Sequence, residues 1–194
     1  VSLLERLVHH AETTSRFNVY YGEGRDQYDV RGRVVHESIF NTNDGNYRCP
    51  STQQGYAPFS TWTRGLAWIV TGYAELLEYL ETRPDDELDQ YGGREDIRKW
   101  MLKTAQATAD FYIDEASAAD GIPYWDTGAP GLVHLGDYRK VNADPYNDYE
   151  PVDSSAAAIT AQGLYRLGKY LGEGAGDRYV QAALTVADTL FQTP

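Results

Sequence analysis

Hydrophobic periodicity, and the uneven lengths of the connections that interrupt it, constrain this chain more than any single motif. Five stretches carry apolar residues at helical spacing. The first covers residues 2 to 16. The second runs from about Ser60 to Thr82, with Leu66, Ile69, Val70, Tyr73, Leu77 and Leu80 in one stripe. Ser60 or Thr61 is placed to cap it, and Pro84 follows its end. The third runs from about Arg94 to Glu115, with Ile97, Met101, Ala105, Thr108 and Tyr112 on one face. The fourth starts at Asp153 or Ser154 and ends near Gly172. The fifth starts at Asp177 and turns Val180, Ala183, Leu184, Ala187, Leu190 and Phe191 inward.

The first and third connections are long, aromatic and polar. The others are short turns. Long loops in a helical chain are usually functional. In the first of them, Arg33–Phe40 reads as a short strand and Asn43-Asp44-Gly45 as a turn. In a row of helical hairpins alternate connections fall on the same end. The spacing therefore predicts an all-α array with both loops on one rim, a helical toroid with a site at one end. No repeat of fixed period supports a regular solenoid.

Charge and cysteine content remove several function classes. The net charge is −12. Without a basic stripe, nucleic acid and anionic membranes are not expected as partners. Any site for a carboxylate needs a local cation, and Arg64 is the candidate. The single cysteine, Cys49, allows no intrachain disulfide and no cysteine zinc cluster. It suits a reducing compartment without excluding export. His9, His10, His36 and His134 lack metal spacing, and no GxSxG, phosphate loop or GxGxxG is present, so neither metal nor cofactor is expected. The chain opens in a helical pattern without Met or a basic leader and closes just after another. Both ends read as cuts.

The residues that carry chemistry gather at the starts of two helices. In TQQGYAPFSTWTRGLAW (52–68), Arg64 and Trp68 stand i,i+4 on one face. Arg offers a planar fork for a carboxylate and Trp an apolar plate for a sugar ring, while the helix start adds partial positive charge. The same spacing also fits a buried Trp beside a salt-bridged surface Arg. DGIPYWD (120–126) fits a sugar platform, or a hydrophobic plug in which Asp126 caps a turn. In DSSAAA (153–158), Asp153 or Ser154 is suited to cap, and a spare serine hydroxyl to bind a carboxylate. No carboxylate pair reads as acid and base.

Together these motifs resemble glycoside hydrolase family 88, the unsaturated glucuronyl hydrolases. The pieces are HAETT (10–14), TQQGY (52–56), STWTRGLAW (60–68), DGIPYWD (120–126) and DSSAAAI (153–159), in the family's order and at about its spacing. Leu66 stands where the family usually has Gln. The resemblance implies an (α/α)6 toroid acting on an oligosaccharide that ends in a 4,5-unsaturated uronic acid. An aspartate protonates C4, water adds at C5, and the hydrated product rearranges to release the next sugar. It assigns His36, Gln54, Arg64, Trp68, Trp125, Ser154 and Ser155 to the substrate pocket. It places the family's catalytic aspartates upstream of residue 1, so residues 1–194 read as one partial catalytic domain. The N-terminal half and last helices of the ring would lie elsewhere. That missing half is an expected partner, and the isolated chain is expected to be inactive. Two other readings remain open: a related toroid acting on another uronide or a rhamnogalacturonan disaccharide, and a non-catalytic carbohydrate-binding fragment.

Overall fold

The computed structural model describes residues 2–192. Helix α1 (Leu3–Phe17) leads into a loop that contains strands β1 (Glu37–Phe40) and β2 (Tyr47–Ser51). Then come α2 (Thr63–Glu81), the single turn α3 (Asp85–Asp89) and α4 (Arg94–Phe111). A second long loop precedes α5 (Ser154–Leu171) and α6 (Asp177–Gln192). All five expected helices form. α3 was not expected, because five residues after Pro84 are too few to show a period. The path expected as far as Glu115 is helical, but after Phe111 it widens into one π-type turn, Tyr112–Ala116. There the buried Tyr112 hydroxyl donates to the Gly121 carbonyl at 2.8 Å, tying the turn to the second loop.

The core forms where the periodicity places it, with one exception. Leu66, Val70, Tyr73, Leu77 and Leu80 of α2 are buried, as are Ile97, Met101, Ala105 and Thr108 of α4. Each fully buried leucine stabilises the fold by roughly 1.5–3 kcal/mol relative to leaving it exposed. The exception is α6. Its buried stripe is Tyr179, Ala183 and Val186, while Leu184 is 50% and Phe191 91% exposed. The buried face is rotated from the most apolar one because it meets two neighbours: Val180 lies over Gly168 of α5, where a Cβ would come 2.6 Å from its Cγ2, and Val186 lies over Gly121 of the second loop, where a Cβ would come 2.5 Å from its Cγ2.

α2 packs most extensively on α5, and α5 on α6; α4 covers α2, with α1 lying more lightly against α4. α2 and α5 run parallel. Arg64 meets Asp153 near their starts, and the Tyr170 hydroxyl donates to Glu81 Oε1 at 2.6 Å near their ends. Their spacing depends on Gly163, where a Cβ would lie 2.7 Å from both Cα and N of Thr71. Both long loops lie at the end where α2 and α5 begin. Val34 bridges Val19 and accepts from Thr61 Oγ1 at 3.0 Å, and Trp62 bridges Asp126.

Two local expectations are corrected. Only Glu37–Phe40 of the expected strand is extended into a ladder, antiparallel to Tyr47–Ser51 and irregular between Ile39 and Phe40. Arg33 instead turns inward, with its Nε donating to the Tyr28 carbonyl at 2.7 Å. Neither Ser60 nor Thr61 caps α2. The residue before its first turn is Trp62, with no side-chain cap. Ser60 Oγ is spent on Ala57, and Thr61 Oγ1 on Val34. The second loop supplies the missing partner, since the Thr63 amide donates to the Trp125 carbonyl at 3.1 Å.

Candidate functional site

The rim is a seam between the two loops, stitched through the start of α2. Thr63 Oγ1 donates to the Tyr124 carbonyl at 2.8 Å, and the Thr61 amide donates to Thr127 Oγ1 at 2.9 Å. Asp126 is fully buried beneath this seam. Its Oδ2 accepts from the Tyr56 amide and its Oδ1 from the Gly128 amide, both at 2.8 Å. The YWD carboxylate therefore pins the TQQGY segment in place. This is the turn-capping role, and it leaves neither oxygen directed at a ligand.

On this seam His36, Trp62 and Arg64 are neighbours. The His36 and Trp62 rings meet edge to face at 4.9 Å, and the Arg64 guanidinium carbon lies 5.9 Å from the Trp62 ring centre. His36 Nδ1 accepts from the Gln53 amide at 3.2 Å and the Gln54 amide at 3.4 Å. Two N–H groups aimed at one ring nitrogen make it the acceptor, so the hydrogen sits on Nε2, which becomes a donor. Arg64 Nε donates to Asp153 Oδ2 at 3.1 Å, and Nη2 lies 3.0 Å from the same oxygen. The arginine side chain stays 44% exposed. Asp153 Oδ1 accepts from the Ala156 amide at 2.8 Å, so this residue is the N-cap of α5. The group thus offers a ring plate, an imidazole N–H donor and an anchored cation, with the polar donors a carboxylated sugar needs.

The other expected residues lie in different places. Gln54 borders His36 through its backbone, with its side chain exposed. Trp68, 58% exposed, lines a groove between α1 and α2 of ≈ 410 Å³ with His10, Ile69 and Tyr79. A second cavity of ≈ 510 Å³, lined by His36, Gln53 and Trp62, shares His10, Thr14 and Ile69 with it, so the two form one continuous cleft along α1. Trp125 is half-buried and donates from Nε1 to Glu150 Oε2 at 2.6 Å. Glu150 also accepts from the Gly131 amide, so Trp125 is fixed as support for the second loop. Ser154 and Ser155 are exposed and line a largely apolar cavity of ≈ 830 Å³ between α5 and α6.

Helical spacing pairs Arg64 with Trp68 and draws no attention to Trp62. Trp62 precedes the helix, where that spacing does not apply. Its signal lies in two glycines. A Cβ at Gly65 would come 2.9 Å from Trp62 Cε3, and one at Gly55 3.1 Å from Trp62 Cβ. Behind the seam, buried Arg33 stacks over Tyr20 at 4.0 Å. Burial lowers the Arg33 pKa, with Tyr20 and Asp26 opposing, and burial together with Asp26 raises that of Tyr20. Among the described residues no group of three or more His, Cys, Asp and Glu side chains is arranged to hold a metal ion, and no helix is long and apolar enough to cross a membrane.

No family model matches the chain. An unsaturated glucuronyl hydrolase of Formosa agariphila is 30% identical over 184 residues, which is 94% of this chain and 35% of that protein. One from Bacillus sp. (strain GL1) is 32% identical over 165 residues, 83% of this chain and 35% of its own length. The crystal structure of the Bacillus sp. GL1 enzyme matches with a TM-score of 0.61 at 28% identity, covering 91% of this chain and 36% of that one. A solved unsaturated glucuronyl hydrolase described as specific for heparin matches with a TM-score of 0.64 at 25% identity, covering 93% and 38%. The chain spans about a third of the length of the curated relatives it matches. In sequence and in fold most of the chain corresponds to about a third of an unsaturated glucuronyl hydrolase, and its hairpins to part of the (α/α)6 toroid of glycoside hydrolase family 88.

Proposed function

We propose that this chain is the substrate-binding portion of a glycoside hydrolase that acts on oligosaccharides ending in a 4,5-unsaturated uronic acid, of the kind polysaccharide lyases release. The observation that carries the reading is the trio His36, Trp62 and Arg64. A planar unsaturated ring suits the indole face, and its carboxylate suits a guanidinium already turned toward the rim. The similarity to enzymes of that name supports it, including one described as responsible for the degradation of glycosaminoglycan.

The reaction we propose is hydration of the C4=C5 bond, which needs a carboxylic acid to protonate C4. Both rim aspartates are committed to structure. Asp126 accepts two backbone amides, and Asp153 caps α5 while holding Arg64. In this reading the acid is supplied by helical hairpins completing the ring around this chain, as the resemblance to the family implies. The cleft along α1 and the cavity between α5 and α6 flank the parallel pair α2 and α5 on opposite sides, and each exposes apolar side chains such as Trp68 and Phe191. These are faces for neighbouring hairpins to cover. In this reading Trp68, Trp125, Ser154 and Ser155 shape or support the pocket without contacting the reacting ring together.

The test is turnover by the protein in its naturally produced form. Unsaturated and saturated uronyl disaccharides of the same linkage are compared, following ultraviolet absorbance of the double bond and release of the second sugar. The proposal expects loss of absorbance and sugar release from the unsaturated compound alone. Equal release from the saturated compound would replace hydration by direct displacement. Binding without turnover would leave a carbohydrate-binding protein.

A further inference from the structure

We infer that Asp153 is a positioning residue. It fixes the Arg64 guanidinium so that its free edge meets the uronate carboxylate. This rests on the reading of Arg64 given above and names the group that orients it.

A guanidinium has five N–H donors arranged in two forks. Asp153 Oδ2 lies 3.1 Å from Nε and 3.0 Å from Nη2, and so occupies one fork. The other, formed by Nη1 and the second hydrogen of Nη2, meets no hydrogen-bond partner among the described residues, and the side chain as a whole is 44% exposed. The orienting carboxylate is itself held rigidly. Its side chain is 2% exposed, and its other oxygen accepts from the Ala156 amide at 2.8 Å. Its own amide donates to the Pro123 carbonyl at 2.8 Å, and its carbonyl accepts from Ala157 at 3.0 Å. One carboxylate thus joins the second loop, α5 and α2, with one oxygen for the helix and one for the arginine. A long, rotamer-rich side chain arrives at the site already ordered, and that ordering is otherwise a cost of binding.

The sign of the effect separates this role from simple charge. A second carboxylate on the same guanidinium repels an incoming uronate. If charge alone mattered, removing Asp153 would tighten uronate binding. If position matters, removal weakens it. Asp153→Ser and Asp153→Asn both keep an oxygen suited to capping the α5 amide. Serine is too short to reach Arg64, and asparagine turns an N–H donor toward its N–H groups. Arg64→Ala and the double variant Arg64→Ala/Asp153→Ser complete a cycle.

The measurement is the affinity of the naturally produced protein for an unsaturated uronyl disaccharide and for its carboxyl methyl ester, with melting temperature recorded alongside. Both Asp153 variants are expected to weaken the carboxylate form roughly 3- to 10-fold, the factor for a ligand that must immobilise a flexible side chain itself. The ester should be nearly unaffected, and the double variant should bind no worse than Arg64→Ala. A parallel loss for acid and ester would mean that Asp153 only supports the fold, which overturns the proposal. So would tighter binding of the acid form by both variants. If Arg64→Ala weakens uronate binding and the Asp153 variants do not, positioning alone is refuted. If Arg64→Ala binds as tightly as the wild type, the reading of Arg64 falls and positioning falls with it.

Discussion

Replacing Gly163 by alanine tests whether the spacing of α2 and α5 sets both the stability of the chain and the geometry of its rim. The new Cβ would lie 2.6 Å from Thr71 Oγ1 and 2.7 Å from Thr71 Cα and N. Thr71 cannot swing aside, because two of these atoms are backbone and its hydroxyl donates to the Ile159 carbonyl at 2.6 Å. Ordinary carbon contact begins near ~3.5 Å, so the helices must part by about 0.8 Å. Overpacking of this kind costs roughly 1–3 kcal/mol, and the rigid backbone contact puts it near the upper end. Alanine recovers about 1 kcal/mol of helix propensity over glycine. The net loss is about 2 kcal/mol, or roughly 4–8 °C in melting temperature for a chain of this size. If the parting extends to the helix starts, the Arg64–Asp153 contacts at 3.0 and 3.1 Å open to about 3.8 Å, beyond hydrogen-bonding range. The control is Gly72→Ala in α2, where a Cβ meets nothing within 4 Å. By propensity alone it should raise the melting temperature of the chain by about 2–4 °C. Thermal melts of the two variants followed by circular dichroism decide the matter. A rise for Gly163→Ala equal to that of Gly72→Ala would refute the argument, because the close approach would then carry no cost.

Other expectations follow from the rim and its loops. Asp126→Asn leaves one part-buried backbone amide without its acceptor, at about 1 kcal/mol, the low end of the cost for an unsatisfied donor. The Tyr56 or Gly128 amide should then exchange with deuterium much faster than in the wild type, and unchanged protection at both would contradict the pinning role. Asp29 has its pKa lowered from 3.8: burial opposes ionisation, but backbone N–H groups of Arg25, Gly22, Gly24 and Glu23 outweigh it. The charged form is favoured in the fold, so its contribution is present above pH 3.8 and is lost as pH falls through the lower folded value. The melting temperature of the wild type should exceed that of Asp29→Asn at pH 5, and the gap should narrow below pH 3.8. Tyr179 has its pKa pushed up to about 12, first by burial and then by Asp110, whose Oδ1 accepts its hydroxyl at 2.9 Å. The neutral form is favoured in the fold. Its contribution is complete below pH 10 and is lost as pH rises from there through about 12, which a comparison of Tyr179→Phe with the wild type would detect.

The helices were legible because their stripes are long. α2 repeats its apolar positions over five turns, and the core residues Leu66, Val70, Tyr73, Leu77 and Leu80 follow directly from that period. The placement of both loops at one end followed from connection lengths alone. What the sequence hid depends on contacts between distant segments. Trp62 gains its place from His36 and from two glycines, Gly65 beside its ring and Gly55 beside its Cβ. Arg64 reads in sequence as a cation for a carboxylate or as one arm of a salt bridge, but nothing local names its partner, which lies 89 positions away. The start of α2 has no side-chain cap because the second loop supplies a carbonyl, which no local pattern announces. Leu184 and Phe191 misled because apolarity marks a face as suitable for burial without saying which neighbour is available to bury it.

The central claim is that the rim formed by His36, Trp62 and Arg64 receives an unsaturated uronate. The most direct test is a crystal structure of the protein bound to an unsaturated uronyl disaccharide. The account predicts the unsaturated ring against the Trp62 indole and within reach of His36 Nε2, with its carboxylate on the edge of Arg64 opposite Asp153. A disaccharide seated in the cavity between α5 and α6, or a carboxylate bound by some other cation while Arg64 stays apart, would contradict it.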